Sequence, residues 1–535
     1  MLLLLALACN PPLVQLPPDR AVTGVELAPG EDFTVLTRAS GGDGVQFNAT
    51  ITWDDGAVED GTERVEWSLS NETAGSIDEL GWFQPATTGG GITWVKGRLA
   101  GVEDEVTVTV RWSEERVEGE VDPRDFEAAT PGDAAELWLY PEDGVTLPRN
   151  TPGITFQWQA PEGQAAEAWR LRFTSTLTEL TVYTDQLEWR ADEETWQSVT
   201  GTNAGGSVQV ELAALMQGVL VEAPARTLGV NRFDAKGNIV YWSTSAAGFM
   251  EIPYGSPAEP YLVMSETGYC MACHAISNDG RVAFTYDGGN GRLGIKDADR
   301  ADLVAYGDDL YGNFKAWSPD SERLVASYAG TLTLFETSGW ASLGSVPFPA
   351  SVTHPDWSPD GTQIVVSAVT GYSADWVFTG GSIAVIDVLE GDGWGDVRTL
   401  YTPPEGTNAY YPAFSPDGEW VAFNLSTGDS YSDADAELWV VPTAGGEAVR
   451  LGAANKDLNL MNSWSRWGPL PDDDILWLAF SSTRAYGRYV DGLPQIWLSA
   501  FDPELARQGQ DPSFPAFWLP DQDHTQNNHV PVWTR

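Results

Sequence analysis

The chain has 535 residues, a formal net charge of −48 and a hydrophobic fraction of 42%. This length predicts several domains, and the 24 Trp, 17 Tyr and 19 Phe residues exclude a disordered chain. The acidic charge repels phosphate groups, which argues against nucleic-acid binding and electrostatic adsorption to anionic lipid. It would favour a basic partner, and a role in solubility alone is the alternative interpretation. The 55 Gly and 34 Pro residues, with few runs of helical period, predict an all-β protein of short strands.

Residues 1–8 are apolar, and Cys9 follows them. The run is too short to span a membrane but suits the apolar region of a signal peptide. The segment Leu5-Ala6-Leu7-Ala8-Cys9 resembles a bacterial lipoprotein signal, in which the cysteine carries the lipid. The resemblance implies an exported lipoprotein, anchored to the outer membrane only through Cys9 and facing the periplasm or the cell surface. An ordinary signal peptide and a buried strand remain as alternatives, and residues 1–20 are assigned to the signal and a Pro-rich tether.

Two β-sandwiches are predicted to follow. Residues 21–113 contain alternating strands such as Val106–Trp112, separated by Gly-rich turns, and resemble a bacterial immunoglobulin-like domain. After a charged linker, residues 134–252 resemble a fibronectin type III module. Its clearest strands are at 156–158, 169–173 and 239–242. Neither segment contains a catalytic constellation, so each is interpreted as a spacer or an adhesion module.

An internal repeat occupies the C-terminal half, from about residue 260 to residue 535. Its three clear copies are Trp317-Ser318-Pro319-Asp320, Trp357-Ser358-Pro359-Asp360 and Phe414-Ser415-Pro416-Asp417. Fainter copies contain Ile276 and Trp467. The Ser-Pro-Asp sequence, with a following Gly in two copies, is typical of a tight turn that joins a short inner strand to the next strand. The repeated aromatic residues are interpreted as blade core, and the aspartates as turn caps.

Repeats of at least about 40 residues with four strands each are typical of propeller blades. This repeat resembles that of TolB-like propellers, which usually have six blades. Five units can be written from the sequence. We expect a composite sixth blade, in which Tyr261–Met264 lies near the C-terminal strand Val530–Trp533 and closes the ring. The predicted fold is therefore all-β, with two N-terminal β-sandwiches followed by a C-terminal six-bladed TolB-like β-propeller at residues 260–535.

The motif with the clearest chemistry is Cys270-Met271-Ala272-Cys273-His274, which matches the c-type haem attachment signature. Two thiols at this spacing can form thioethers with the two vinyl groups of one haem, and the adjacent imidazole then binds the iron. Cys9 is the only other cysteine, so a disulfide framework is excluded. One covalent haem c is the favoured interpretation. A redox or structural disulfide, another metal and a vestigial motif remain as alternatives.

The repeat predicts where this motif lies. Ile276 aligns with Trp357 and Phe414, so Cys273 aligns with His354 and Tyr411, just before the innermost strand of each blade. We therefore expect the haem over one face of the ring, near its axis. The candidate distal iron ligands are His529, then His354, then a methionine, of which Met461 is better placed than Met264. An open iron position is the remaining possibility.

Three functions are compatible with these features. The first is an electron-transfer or redox-sensing lipoprotein with a basic redox or envelope partner. The second is a non-enzymatic envelope scaffold that binds proteins, with a structural or absent haem. The third is a haem enzyme, which ranks last because the sequence offers no distal acid–base pair.

Overall fold

The computed structural model describes residues 20–254, 256, 258–263, 271–286, 291–299, 303–391, 393–431, 433–470 and 475–534. They form two compact units. The first contains the described residues up to 123 with 170–184 and 194–203, and the second contains 124–169, 185–193 and the described residues from 204 onward. The signal and tether predicted at 1–20, with Cys9, lie outside the described residues except for Arg20. Across the described ranges, no helix is both long and apolar enough to cross a membrane.

The chain starts with a β-sandwich. Its strands are β1 (Val22–Ala28), β2 (Phe33–Thr37), β3 (Val45–Gln46), β4 (Asn48–Trp53), β5 (Val58–Asp60), β6 (Glu66–Leu69), β7 (Gly75–Ile77), β8 (Trp82–Pro85), β9 (Gly91–Leu99) and β10 (Val102–Glu118). One sheet has the order β1-β4-β5, while β10 pairs with β9 and β2. Their inward side chains, including Ile51, Trp53, Val95 and Val108, form one hydrophobic core. The alternation read from the sequence therefore gives the predicted first sandwich.

The next part of the chain contributes to both units. Its elements are α1 (Pro123–Ala128), β11 (Thr130–Pro131), β12 (Trp138–Tyr140), β13 (Thr146–Leu147), β14 (Thr155–Trp158), β15 (Ala168–Thr174), β16 (Thr178–Thr184), β17 (Glu188–Arg190), α2 (Glu193–Thr202), β18 (Gly206–Met216), β19 (Val219–Glu222) and β20 (Arg226–Val230). Within the first unit, β16 pairs with the end of β10. Within the second unit, β12-β14-β17 form one sheet, and β18 pairs with β19 and β20. Trp138, Phe156 and Trp158 are buried in this second sandwich.

The remaining elements are the strands of six four-stranded antiparallel sheets and two short helices, α3 and α4. They are β21 (Asn238–Ser243), β22 (Gly248–Pro253), β23 (Glu259–Val263), β24 (Met271–Ile276), β25 (Val282–Tyr286), β26 (Arg292–Lys296), β27 (Leu303–Tyr311), β28 (Phe314–Trp317), β29 (Arg323–Tyr328), β30 (Thr331–Glu336), β31 (Ser342–Ser345), β32 (Ser351–Trp357), β33 (Gln363–Ala374), β34 (Val377–Leu389), β35 (Gly393–Tyr401), β36 (Asn408–Phe414), β37 (Trp420–Ser426), β38 (Glu437–Pro442), β39 (Val449–Arg450), α3 (Gly452–Asn455), β40 (Ser463–Trp467), β41 (Leu476–Ser482), β42 (Gln495–Phe501), α4 (Pro503–Arg507), β43 (Phe517–Trp518) and β44 (Asn528–Trp533).

These six sheets are the blades of a propeller. Blades one to five are β24–β27, β28–β31, β32–β35, β36–β39 and β40–β43, and the closing blade has the order β23-β22-β21-β44. The inner strands β24, β28, β32, β36, β40 and β44 contact one another in sequence, and β44 also contacts β24. The ring is therefore closed, and no inner sheet edge is left open. We call the two ends of its channel the start face, where the inner strands begin, and the turn face, where they end.

The repeated turns have the predicted chemistry. In the third blade, the Asp360 carboxylate accepts hydrogen bonds from Ser358 Oγ at 2.6 Å and from the Thr362 backbone N–H at 3.0 Å. Gly361 has a φ of 74°, a left-handed conformation that favours glycine. The blade aromatic residues Trp357 and Phe414 are each 6% exposed. Both the capping and the core interpretation are confirmed.

The closing blade corrects one sequence assignment. The strand at 239–242, expected in the second sandwich, belongs to β21 and pairs with β44 and β22. Residues Tyr261–Val263 are in the same blade as the C-terminal strand, as expected, but at its outer edge rather than beside it. The reason is that β44 supplies only the inner strand, so the propeller takes its other three strands from residues 238–263.

We predict that β44 holds the ring together. A chain ending after Gln526 loses the hydrogen bonds to β21 and the burial of Trp533, and we expect its free energy of unfolding to fall by at least about 3 kcal/mol. Thermal unfolding followed by tryptophan fluorescence measures the change. A synthetic peptide of residues 526–535 should restore the unfolding midpoint, whereas a scrambled peptide should not. An unchanged midpoint in the shortened chain would show that the closure is not needed.

Candidate functional site

Six side chains at one position of the inner strands meet at the propeller axis. Each lies three residues before the last residue of its inner strand. We call this set the axial cluster: Cys273, Phe314, His354, Tyr411, Trp464 and Val530. Five of them have a positive φ, from 48° at Cys273 to 60° at Trp464, whereas Phe314 does not. The predicted alignment of Cys273 with His354 and Tyr411 is confirmed by this shared backbone conformation.

The positive φ has a local cause. The pairing of β24 with β25 is interrupted at this position, and the same break recurs in the third, fourth and fifth blades. A β-bulge bends the strand and redirects one side chain. Repetition of the bulge around a closed ring therefore brings these side chains to a common centre.

The axial cluster fills the channel with aromatic rings. Tyr411 stacks on Trp464 with ring centroids 3.7 Å apart, and His354 lies 4.0 Å from Tyr411. Phe314 packs edge-on against His354 at 4.3 Å. These rings therefore occupy the axis of the channel at this level.

Cys273 is the described thiol of the haem motif, and Cys270 lies outside the described residues. Cys273 is a free cysteine and is partly buried. It packs against the same buried cluster as the aromatic side chains of Trp242, Tyr372 and Trp376. Burial raises the pKa of the Cys273 thiol, so the group is protonated near neutral pH.

His274 contacts a different part of the blade. Its imidazole packs against the Phe249 ring at 4.3 Å, and its Nε2 lies 3.3 Å from the Val240 backbone oxygen. Its Nδ1 is buried and has no hydrogen-bond partner among the described residues. Burial lowers the pKa of His274 to about 3, so the imidazole is neutral, the form that binds metals.

His354, a candidate distal ligand, is enclosed by the axial cluster. It is 2% exposed, and its Nδ1 lies 3.4 Å from Ser367 Oγ and 3.4 Å from the Tyr411 backbone nitrogen. Its Nε2 has no hydrogen-bond partner within the described part of the chain. Burial holds the pKa of His354 well below its usual value. His354 and Cys273 therefore share one cluster, as the repeat predicts, but the imidazole is covered by aromatic rings.

The other candidate ligands are His529, Met461 and Met264. His529 is partly exposed, and its ring lies 5.7 Å from that of Trp464. Its Nδ1 lies 2.8 Å from Ser481 Oγ, and burial lowers its pKa to about 4. Met461 is also partly exposed and precedes β40, while Met264 lies outside the described residues. Among the described residues, no group of three His, Cys, Asp or Glu side chains is close enough to hold a metal ion.

Charged side chains lie on the turn side of the axial cluster. Lys315 is 7% exposed and donates from Nζ to Thr285 Oγ1 at 2.5 Å. Burial lowers its pKa to about 7, and the neighbouring Cys273 opposes this shift. Burial also raises the pKa of Asp356 to about 6, and it lowers the pKa of Arg466. These residues line a cavity of about 200 Å³ that reaches the Ser-Pro turns.

The donors of the motif fit a c-type haem in part. Cys273 offers a free thiol, and His274 offers a neutral imidazole with an unpartnered nitrogen. Trp242, Tyr372 and Trp376 provide apolar surface at the same cluster as the thiol. Cys273 and His274 contact different residues. To bind the iron of a haem attached at Cys273, the His274 imidazole would therefore have to leave Phe249 and the Val240 backbone oxygen.

No protein-family model matches the sequence, and no curated protein matches it either. Among solved structures, TolB from Acinetobacter baumannii is 14% identical, with 61% of this chain and 79% of that chain covered and a TM-score of 0.39. Hydrazine synthase from Kuenenia stuttgartiensis is 12% identical, over 56% of this chain and 75% of that chain, with a TM-score of 0.34. Dihydro-haem d1 dehydrogenase NirN is 14% identical, over 54% and 55%, with a TM-score of 0.33. The six-bladed propeller is assigned from the strand pairing and the contacts between inner strands.

The sequence reasoning missed the charged residues of the channel. Lys315, Asp356 and Arg466 lie one or two residues after the axial position of their blades. The same alignment that placed Cys273 could have identified Asp356 and Arg466, since a charge at a position occupied by Ala275 and Ala413 in other blades is exceptional, whereas Lys315 aligns with His274. The aromatic residues at the start face had no such signal, because they come from different strands and loops.

The buried histidines predict how stability depends on pH. Their unfolded-state pKa is about 6.5, whereas burial gives folded-state values of about 3 for His274 and about 4 for His529, with His354 also lowered. The unfolded chain therefore binds more protons below pH 6.5, and stability falls as the pH is lowered from 6.5 to 5. The raised pKa of Asp356 acts in the opposite direction over part of this range.

We expect His354→Gln to reduce this slope by up to about 1.4 kcal/mol per pH unit, the value for one proton. Urea unfolding at pH 6.5, 6.0, 5.5 and 5.0 measures the slope. The control is His524→Gln, which changes a partly exposed imidazole beside Asp491. Equal slopes in wild type and His354→Gln would mean that folding does not lower the pKa of His354.

Proposed function

We propose that this chain carries one covalent haem c through Cys270, Cys273 and His274, at the start face of the propeller. The observation that supports it is the free, partly buried thiol of Cys273 in the axial cluster. Trp242, Tyr372 and Trp376 pack against the same cluster and supply apolar surface there. The motif chemistry and the surroundings of the thiol thus point to the same end of the channel.

A haem iron bound by His274 and a second side chain would supply one-electron exchange. The residues of the chain set the conditions for it. The axial cluster closes the channel, so that contact with a partner is confined to the start face. The aromatic side chains there exclude water and lower the local dielectric constant, which shifts the reduction potential. His274 supplies a neutral imidazole once it has turned away from Phe249.

The proposal therefore includes electron transfer or redox sensing at the cell envelope. Cys9 would carry the lipid anchor of an exported outer-membrane lipoprotein that faces the periplasm or the cell surface. The formal net charge of −48 would steer a basic redox or envelope partner toward the protein. Nucleic acid is not a partner in this proposal, and contact with the membrane is through the anchor alone.

A second candidate function is a protein-binding scaffold with a structural or absent haem. The packing of His274 on Phe249 favours it, because this imidazole already fills a space between two blades. Tyr431, which is 49% exposed, would then belong to a contact surface. The presence or absence of covalent haem separates the two functions.

The first test is haem attachment. We expect the full chain, exported from cells that contain a c-type haem maturation system, to retain haem on a denaturing gel because thioethers survive denaturation. Cys270→Ser with Cys273→Ser should abolish haem staining. His274→Ala should lose the low-spin absorption spectrum, whereas the control His524→Ala should keep it. A colourless, correctly exported wild-type protein would contradict the haem proposal and favour the scaffold function.

The second test is the distal ligand. His529 is partly exposed beside the axial cluster, while His354 is covered by aromatic rings, so we expect His529 to bind the iron. His529→Gln should convert a low-spin spectrum to high-spin, and His354→Gln should leave it low-spin. The opposite result assigns the ligand to His354. If neither variant changes the spectrum, Met461→Leu tests the remaining described candidate.

A further inference from the structure

The cavity at the turn face contains charges that the haem proposal does not use. It has a volume of about 200 Å³ and is lined by His274, Lys315, Asp356 and Arg466, together with the blade aromatic residues and the Ser-Pro turns. The axial cluster separates this cavity from the start face. Any ligand must therefore enter between the turns, and His274 is the one lining residue that also belongs to the haem proposal.

Arg466 is the central charge of this cavity. The cavity is lined by residues from all six blades, so it lies on the propeller axis, and Arg466 of the fifth blade is one of these residues. Its only hydrogen bond among the described residues runs from Nη1 to the Ser465 backbone oxygen at 2.9 Å. Most of its donors are therefore available to a ligand.

Within the described part of the chain, neither cation of the cavity forms a salt bridge, and Asp356 acts on Arg466 only from beyond salt-bridge distance. Among the described residues, no carboxylate oxygen lies within 4.0 Å of Arg466 or of Lys315 Nζ. Asp356 is the carboxylate of the cavity, and its Oδ2 accepts the Phe414 backbone N–H at 2.8 Å. Removing a cation from water without a partner is costly, and nearby anions reduce that cost. Two cations and one carboxylate leave a single positive charge.

We propose that this cavity binds a small monocarboxylate of the size of acetate, with Arg466 as its receptor. A planar guanidinium pairs with a carboxylate through two parallel hydrogen bonds. The single excess positive charge matches one negative charge, and Asp356 repels a dianion. The apolar faces of Trp357 and Trp467, which also line the cavity, can contact the methyl group.

Acetate is the probe, and acetamide is its neutral isostere. We expect sodium acetate at pH 6.5, below the pKa of Lys315, to change the tryptophan fluorescence of the full chain with saturation, and to raise the unfolding midpoint at constant ionic strength. Acetamide and sodium chloride should do neither. A linear, non-saturating response to acetate, or an equal response to acetamide, would overturn the proposal.

Two variants act in opposite directions. Arg466→Met should weaken acetate binding at least tenfold, because it removes the receptor. Asp356→Asn keeps an oxygen that can accept the Phe414 N–H and removes the repelling charge, so it should bind acetate several-fold more tightly. Arg398→Met, at a surface residue paired with Asp387, is the control and should bind as wild type.

If Arg466→Met does not fold, Asp356→Asn provides the test. An acetate affinity of Asp356→Asn that is equal to or weaker than that of wild type contradicts the proposal. Wild-type affinity in Arg466→Met also contradicts it. The haem motif is intact in both variants, so haem staining should be the same as in wild type. If a variant loses acetate binding but keeps normal haem staining, the change affects the cavity and not haem attachment.

Discussion

The β-bulge shared by the inner strands is the constraint on which the rest of the propeller depends. At this bulge the backbone adopts a positive φ in five of the six blades, including at Cys273, Tyr411 and Trp464. Non-glycine residues rarely adopt this conformation, so its repetition requires compensation from packing. The compensation is the aromatic contact across the axis, of which the Tyr411–Trp464 stack at 3.7 Å is the closest.

The filled axis divides the channel into two chemical environments. At the start face, Cys273 lies among aromatic side chains and its thiol is protonated. At the turn face, Arg466, Lys315 and Asp356 surround a small polar cavity. A protein with so acidic a surface keeps two cations in its interior, where their fields are screened less than at the surface. The two ends therefore offer different surroundings to a ligand, and His274, which lines the turn-face cavity, is the residue they share.

Burial has opposite consequences for the two kinds of titratable group in this core. It keeps the imidazoles of His274, His354 and His529 neutral, which suits ligation but destabilises the fold in acid. It raises the pKa of Asp356 and lowers that of Lys315, so that both groups change charge near neutral pH. The net charge of the turn-face cavity therefore changes near neutral pH.

The amino-acid sequence by itself determined the all-β class, the blade repeat and the shared position of Cys273, His354 and Tyr411. These features follow from local chemistry, since turn residues and alternating strands act within a few positions of the chain. The tertiary structure alone decided that residues 238–253 join the closing blade, that aromatic rings fill the axis and that His274 faces Phe249 rather than the start face. Each of these outcomes depends on which distant strands share an edge or a core, and that information is spread over residues far apart in sequence.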